Sequence, residues 1–555
     1  MTPTVSESVS SKVKRELGLF LGFLCTAVFF RFWTFFQSGL DWDESLYLLV
    51  SQSMLDGDIP YVGIWDNKPV GIYLLYILSF LLFGKSIFAI RLLSCGAIAA
   101  TCYVLYHFSQ LWAGNAKLMG VIAALLYIVS TLQNGGTAAN TEIFFIPFVA
   151  TAYYWVAAQW QERTQSVSRW RYFAIGLCLG IAFIIKYVVI YDLVAILLLL
   201  AVPFFLTPSH IAPLQSRHQY FQRAGVFLIL LLGFLLPFFL MASFFVLTGS
   251  FSDFFYANFT ANKIRNIDRN FSLRVVIEAL VFQLRKNFPL WIGLALIWPA
   301  LFKQISSTER RLSLIILVWI LIPLLGVLLT FKVNFYDHYF LPLLPPLSLI
   351  TAFFLVKLLG ERNALSDRNP RRSNLPETSH AEPSPGWRIT RSLARKYLPL
   401  LCAIALLIGF YAAADLQKSA KFFYFSYIKG VPHYQDKAAE VSAYLQPRIQ
   451  PDNYIYVADY DPVVYFLSKA KIPTRYAYPF FLMGENLPKV AGANSMQELS
   501  ALMQKRPLYV VMSARTKEEE HNRLFYSKLK AWLEQDYSLE RLDNEVKLYR
   551  RKSSS

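Results

Sequence analysis

"PVGIYLLYILSFLLFGK", Pro69 to Lys85, is the stretch on which the topology of this 555-residue chain turns. Its apolar run, Val70 to Phe83, reaches only about 21 Å as a helix at roughly 1.5 Å per residue, short of a hydrocarbon core near 30 Å. Gly84 ends the run, and Pro69 stands where the first turn of a helix tolerates proline. Whether the run crosses a bilayer sets the side of every loop that follows it.

Working outward, 55% of the residues are hydrophobic and only 16% charged. Soluble domains carry about 25% charged residues, so the composition is that of a membrane protein. The 46 Phe, 32 Tyr and 12 Trp suit lipid-facing surfaces and interfacial belts. Eleven segments have bilayer length, near 17–36, 88–108, 118–132, 142–160, 171–187, 188–207, 224–248, 288–304, 311–331, 339–359 and 397–415. If 70–83 stays in the interface, the loops at 109–117, 161–171, 208–223, 303–311 and 360–396 fall on the N-terminal, cytoplasmic side, and every one of them is basic. If it crosses, all of them become external, against the positive-inside rule. The non-crossing reading therefore wins. It places the loops 40–71, 133–141 and 249–287, the turn 332–338 and the C-terminal region together on the outer side.

The expected architecture is a polytopic α-helical membrane protein of about eleven transmembrane helices over 1–415, with juxtamembrane helices in a first outer loop, 37–87. A Pro/Ser/Arg-rich cytoplasmic linker occupies 360–396. Residues 416–555 regain soluble composition and read as a small α/β domain outside the membrane. There "NYIYVA", "PLYVVMS" and "VKLYRR" look like strands, and Lys517 to Gln535 has helical spacing. The net charge of +18 lies mostly in the basic loops, and no basic-aromatic motif points to nucleic acid. All five cysteines (Cys25, Cys95, Cys102, Cys178, Cys402) sit in apolar segments, giving neither a disulfide framework nor metal spacing. The first apolar run, Leu17 to Phe36, has bilayer length and no small-residue cleavage site after it, so it reads as a retained span. "LFGKS" lacks the earlier glycine of a P-loop, since Ser79 stands there.

An acid cluster opens the first outer loop: Asp41, Asp43, Glu44, Asp56 and Asp58, with Asp66 close behind. Asp41 fits an N-cap with Glu44 as the return arm of a capping box, and Asp56-Gly57-Asp58 fits the turn ending that helix. Leu46, Leu49, Val50 and Met54 then fall on one face, as in an amphipathic helix lying on the membrane. The helix dipole favours Asp43 without giving it a task. Elsewhere on the same side stand Lys68, Glu142, Lys186, Lys332, Asp337, His338 and Tyr339. Singly, each suits an interfacial side chain. Together, acids and cations converging on one leaflet suggest a site, because charge at membrane depth is costly and usually functional. Acids there could deprotonate a nucleophile or stabilise an oxocarbenium-like centre, and cations could neutralise a departing phosphate. A lipid-linked phosphosugar needs that combination.

"DWDESLY…GDIPYVGIWDNKPVGIYLLYILSFLLFGKSIFAIRLLS" resembles the first outer loop of the superfamily C (GT-C) glycosyltransferases, in the branch of protein O-mannosyltransferases and lipid A aminoarabinose transferases. The matching residues are Asp43-Glu44, Tyr47, Gly57, Pro60-Tyr61, Lys68-Pro69, Leu82-Phe83-Gly84 and Arg91-Leu92, in order. Glu142 stands at the second-loop acid, "HYFLPLLPP" is similar to a late-span motif, and "DPVVYFLSKAKIPTRY" resembles part of the outer C-terminal domain. Val70 replaces the second proline of a Lys-Pro-Pro motif, and Glu142 stands where relatives often carry Asp.

The resemblance implies an inverting transferase that takes sugar from a polyprenyl-phosphate donor and passes it to a lipid, glycan or protein acceptor at the outer face of the plasma membrane. It assigns catalysis to Asp43, with Glu44 and Glu142 in support, and donor binding to Lys68 and Tyr61. Lys186 and His338 are phosphate partners proposed from position. No cofactor is expected to be required, although Asp43 and Glu142 could hold Mg²⁺ or Mn²⁺. The alternative is a non-enzymatic polyprenyl-lipid or sugar carrier, a flippase. Carriers usually show internal repeats and broken spans at mid-membrane depth, and this sequence shows no internal repeat.

Overall fold

The computed structural model describes residues 9–112, 116–161, 168–206, 216–267, 272–302, 307–330, 336–366, 385–516 and 522–553. Helices occupy each of the eleven expected apolar segments: α1 (Val9–Phe30), then, beyond the first outer loop, α4 (Ile87–Ser109), α5 (Ala116–Gln133), α6 (Thr141–Gln161), α7 (Arg169–Ile185), α8 (Ile190–Leu206) and α9 (Ser216–Leu247). They continue with α13 (Phe288–Phe302), α14 (Ser307–Thr330), α15 (Leu344–Ser366) and α16 (Pro385–Phe423). Among the described residues, seven helical runs are long and apolar enough to cross a bilayer: Ile87–Ser109, Ala116–Gln133, Thr141–Gln161, Gly225–Leu247, Glu309–Leu329, Asp337–Lys357 and Leu398–Ile428.

Small residues set the closest approach in this bundle. Gly176 and Gly180 of α7 leave no room for a Cβ against the backbone of Leu230 and Phe234 in α9, and Gly233 packs in the same way on Phe173. Helices in lipid gain from such backbone proximity because no hydrophobic force separates them from the acyl chains.

The first outer loop holds α2 (Trp42–Leu55) and α3 (Gly71–Phe83). At 13 residues, α3 is the short helix expected. It keeps Leu74, Leu78, Leu81 and Leu82 exposed on its outward side. Its start is pinned at Gly71, where a Cβ would come within 2.5 Å of the Ile184 carbonyl oxygen.

The structure corrects the expectation for α2. This helix is not an amphipathic element floating on the membrane: every residue from Glu44 to Ser51 is buried. It packs between α3 and α18 (Val463–Ser468) of the C-terminal region, so both faces are covered by protein. The polar residues that suggested a wet face (Glu44, Ser45, Ser51) are buried polar groups instead.

The C-terminal region contains a four-stranded sheet of order β1-β2-β4-β3, built from β1 (Ile455–Asp459), β2 (Tyr509–Ser513), β3 (Tyr537–Leu542) and β4 (Val546–Arg551). β1 and β2 are parallel, and the other pairs antiparallel. Helices α17 (Lys437–Leu445), Ser495–Lys505 and Arg523–Asp536 accompany the sheet. The expected strands in "NYIYVA", "PLYVVMS" and "VKLYRR" correspond to β1, β2 and β4. The expected linker at 360–396 is shorter: α15 continues to Ser366 and α16 begins at Pro385, while 367–384 lie outside the described residues. Lys332 and residues 517–521 also lie outside them.

Candidate active site

Asp41 caps α2, its Oδ1 accepting the Asp43 amide at 3.0 Å, while its Oδ2 accepts from the Asn140 side chain at 2.9 Å. One carboxylate thus starts the helix and fixes the second outer loop against the first. The Tyr76 hydroxyl, donating to the Ala139 carbonyl at 2.8 Å, repeats that link.

One residue into α2, Asp43 turns toward Lys68. Its Oδ2 lies 2.5 Å from Lys68 Nζ, which also donates to the Tyr47 hydroxyl at 3.2 Å. The Asp43 side chain keeps 31% exposure, which leaves it open to an incoming ligand. Burial pushes its carboxyl up, but the Lys68 charge and hydrogen bond outweigh burial and hold it down at about 2. For Lys68, burial disfavours the charged form and the Asp43 and Asp66 carboxylates more than restore it, so its pKa lies above the ordinary lysine value. Burial, then the Asp43 charge, keeps the Tyr47 phenol protonated well past its ordinary range.

The second pair is formed by Glu142 and Lys186. Glu142 lies in the first turn of α6, where helix dipoles favour an anion. Its Oε1 is paired with Lys186 Nζ, and its Oε2 accepts from the Thr141 hydroxyl at 2.9 Å. Lys186 sits where α7 ends and the chain becomes extended. Its ammonium lies 4.6 Å from the centre of the Tyr339 ring. Tyr339 in turn meets His338 edge-on at 4.7 Å. Asp43 interacts electrostatically with both Lys186 and His338, which places the two ion pairs in one cluster. His338 is packed over Gly135, whose φ of +69° suits the tight turn between the second-loop elements.

The structure therefore brings Asp43, Lys68, Glu142, Lys186 and His338 together. It does not bring Glu44 or Tyr61 to the same face. Glu44 points the other way from α2 and pairs with Arg91 of α4, both side chains being 1% exposed. It is neither the return arm of a capping box nor a group facing a sugar. Tyr61 is buried at a positive φ of 69°, and its hydroxyl donates to the Lys68 backbone carbonyl at 2.8 Å. It shapes the loop that carries Lys68 and does not present a donor to a phosphate.

Several neighbours had no role assigned from the sequence. Asp66 is buried, accepting from the Tyr73 hydroxyl at 2.7 Å and the Asn67 amide at 2.6 Å. Burial pushes it up to about 6, with Lys68 opposing the rise. The loop 249–287, whose role the sequence left open, closes on the first loop. Asn258 accepts from Tyr187 at 3.0 Å, and Asn262 accepts from Asn67 at 3.3 Å. Lys286 holds Asp337, beside His338, at 2.5 Å. From the C-terminal region, Tyr478 and Phe480 pack on Trp42, next to Asp43. Amide and aromatic contacts of this kind leave no spacing signal.

Among the described residues, no group of three or more His, Cys, Asp or Glu side chains is arranged to hold a metal ion. Asp43 and Glu142, the two carboxylates considered for a divalent cation, are each paired with a lysine.

Helices in the eleven apolar segments, a first outer loop carrying α2 and α3, and a C-terminal sheet domain seated on that loop make up a fold that is also found in solved membrane-protein structures. Residues 67–236 match the profile of the family described as dolichyl-phosphate-mannose-protein mannosyltransferase. The crystal structure of ArnT from Cupriavidus metallidurans bound to undecaprenyl phosphate superimposes with a TM-score of 0.59 at 15% identity, covering 99% of each chain. The same protein in its apo state gives a TM-score of 0.55 at 16% identity, covering 97% of this chain and 98% of that one. No curated protein sequence matches the chain. The GT-C resemblance seen between Asp43 and Leu92 is borne out.

Proposed function

We propose that the protein is an inverting glycosyltransferase that moves a sugar from a polyprenyl-phosphate donor to a lipid, glycan or protein acceptor at the outer face of the plasma membrane. In this reading eleven helices cross the bilayer, α3 rests in the interface, and the C-terminal domain stands outside. The observation that carries the proposal is the pairing of a partly exposed carboxylate with a lysine beside a second, more buried pair of the same kind. The match to a family named for a dolichyl-phosphate-mannose donor and the undecaprenyl phosphate in the ArnT structure support the choice of donor.

The donor phosphate competes with Asp43 for Lys68, so donor binding uncovers the carboxylate at the moment it is needed. Asp43 then accepts the proton of the acceptor hydroxyl, whose oxygen attacks the anomeric carbon from the face opposite the phosphate. The bond from that carbon to the phosphate oxygen breaks, the electron pair leaves with polyprenyl phosphate, and configuration inverts. Lys68 neutralises the leaving group, with Lys186 adding positive potential and His338 offering a ring N–H, and lysines take the part a divalent cation would otherwise play. Tyr61 and Asp66 hold the Lys68 loop in place.

The test is transfer in membranes of cells lacking the gene, complemented with wild type or Asp43→Asn. Mass spectrometry of polyprenyl-linked sugars and envelope glycans should show the donor accumulating and one modification lost in the Asn variant. Removal of a general base costs on the order of 10²–10⁴ in rate. Unchanged transfer by Asp43→Asn takes Asp43 out of the mechanism. Chelation by EDTA should leave the wild-type rate intact, and its loss would overturn the lysine assignment. A carrier would instead retain lipid movement with no donor turnover.

A further inference from the structure

The parallel strands β1 and β2 end side by side, and a cleft of about 420 Å³ opens at their carboxyl ends. The loops that follow the two strands line it. β1 contributes Asp459, Tyr460 and Asp461, while β2 contributes Ser513, Arg515 and Thr516. The opposite wall comes from the first outer loop, through Gln37, Gly39 and Trp42. Gly39 approaches so closely that a Cβ would collide with the Asp461 carboxylate. Ser38 seals the junction, its amide and hydroxyl both donating to Asp436, at 2.7 Å and 2.6 Å.

The chemistry of this cleft is mixed. Trp42, stacked on Phe480 at 5.5 Å between ring centres, supplies aromatic surface. The Thr516 hydroxyl donates to Asp459 at 2.6 Å. Arg515 reaches the Asn544 carbonyl through Nε at 3.2 Å and is otherwise exposed, as is Glu545. Four acids line the walls (Asp436, Asp459, Asp461, Glu545) against two cations (Lys437, Arg515). That balance disfavours a phosphate. Exposed Arg515 and Glu545 beside an aromatic face suit a neutral polyhydroxyl compound, whose hydroxyls bond to both side chains and whose C–H face lies on an aromatic ring. The volume lies within the range of roughly 300–1,000 Å³ that holds small ligands. Trp42 belongs to both the cleft and the first turn of α2, the turn that also carries Asp43.

We propose that this cleft binds a neutral sugar of the acceptor, making the acceptor a glycan or glycolipid; the assignment as acceptor rests on the glycosyltransferase reading above. Full-length protein in nanodiscs is tested by saturation-transfer NMR with N,N′-diacetylchitobiose as probe, which needs no turnover. Wild type should saturate the probe. Phe480→Ala should lower the signal about fivefold, the loss of one aromatic contact near 1 kcal/mol. Arg515→Ala, at an exposed position that does not threaten folding, should lower it in the same direction, and Asp43→Asn should leave it unchanged. Absence of saturation in wild type, or equal signals in the wild type and both cleft variants, overturns the proposal. So does a Lys-rich peptide whose binding, unlike that of chitobiose, depends on Phe480 and Arg515. Retained probe binding together with unchanged transfer by Asp43→Asn would sink the catalytic reading and leave the sugar cleft standing.

Discussion

Replacing Arg91 by Met tests whether Glu44 is architecture or active site. Both side chains of the pair are 1% exposed, and the Arg91 Nε also donates to the Thr34 carbonyl at 3.3 Å. Met preserves most of the aliphatic bulk and removes the charge, stranding the Glu44 carboxylate in a dry interior. Breaking a buried pair from one side costs about 3–5 kcal/mol, because the remaining ion has lost water and gained nothing. At about 2 °C per kcal/mol, the lower end of the range for larger domains, the melting midpoint falls by roughly 6 °C or more. The assay is thermal unfolding of purified protein in detergent, followed by a thiol-reactive dye that reports the buried Cys95 and Cys102 as they open. Adding Glu44→Leu to Arg91→Met removes both charges, and most of the lost stability should return. As a control, Arg274→Ala breaks the pair with Glu278, whose side chains are 87% and 61% exposed, and should change the midpoint by less than about 1 °C. Transfer per folded molecule should stay within about threefold of wild type in the double variant, since a group that touches no substrate has no transition-state role. A double variant as unstable as Arg91→Met, or one that folds normally and transfers nothing, refutes the reasoning.

Asp66, held up near 6 in the fold against about 3.8 when unfolded, takes up a proton more readily in the native state. Its contribution is fully present below about pH 4 and is lost as pH rises through 6, a difference of about 3 kcal/mol. Asp66→Asn should therefore raise the melting midpoint at pH 7.5 and by about a third as much at pH 4.5; an equal effect at both would refute it. Tyr61→Phe removes the hydrogen bond to the Lys68 carbonyl, worth about 1 kcal/mol, and should lower transfer several-fold while leaving the fold intact. Gly176→Ala places a methyl against the Leu230 carbonyl and should cut the folded yield in size-exclusion profiles, whereas Gly18→Ala, with open space around it, should not.

The sequence carried the membrane class, the eleven apolar segments and the short α3, because hydrophobic run length and loop charge are one-dimensional quantities. Ion pairs across loops were partly legible. Lys68, Lys186, Glu142 and His338 could be placed on one side by topology, and the structure joins them with Asp43. What the sequence hid was partnership. β3, "YSLERL", is exposed or half-buried beyond Tyr537 and mixes charge with Leu, so it lacks the apolar run that marked β1 and β2. The burial of α2 was invisible for a related reason: the protein that covers its polar face comes from α18, more than 400 residues away in the chain.

Asp43 and Glu44 show why motif and role separate. Adjacent helical residues point about 100° apart, a consequence of 3.6 residues per turn. Once α2 is sandwiched, one carboxylate must face the loop that carries Lys68 and the other must enter the core toward α4. An Asp-Glu pair therefore serves two tasks. The first residue stays partly exposed and exchangeable, paired with a cation that a phosphate can take from it. The second is locked to Arg91 and fixes the azimuth of the helix, and with it the direction of Asp43. Conservative exchange should consequently divide them by readout: Glu44→Asp, one methylene too short to reach Arg91, should lower the melting midpoint first and transfer only through it. Asp43→Glu, one methylene too long beside Lys68, should lower transfer at an unchanged midpoint. The same pattern of loss in both variants would show that the two carboxylates act as one unit, and the division drawn from the geometry would fall.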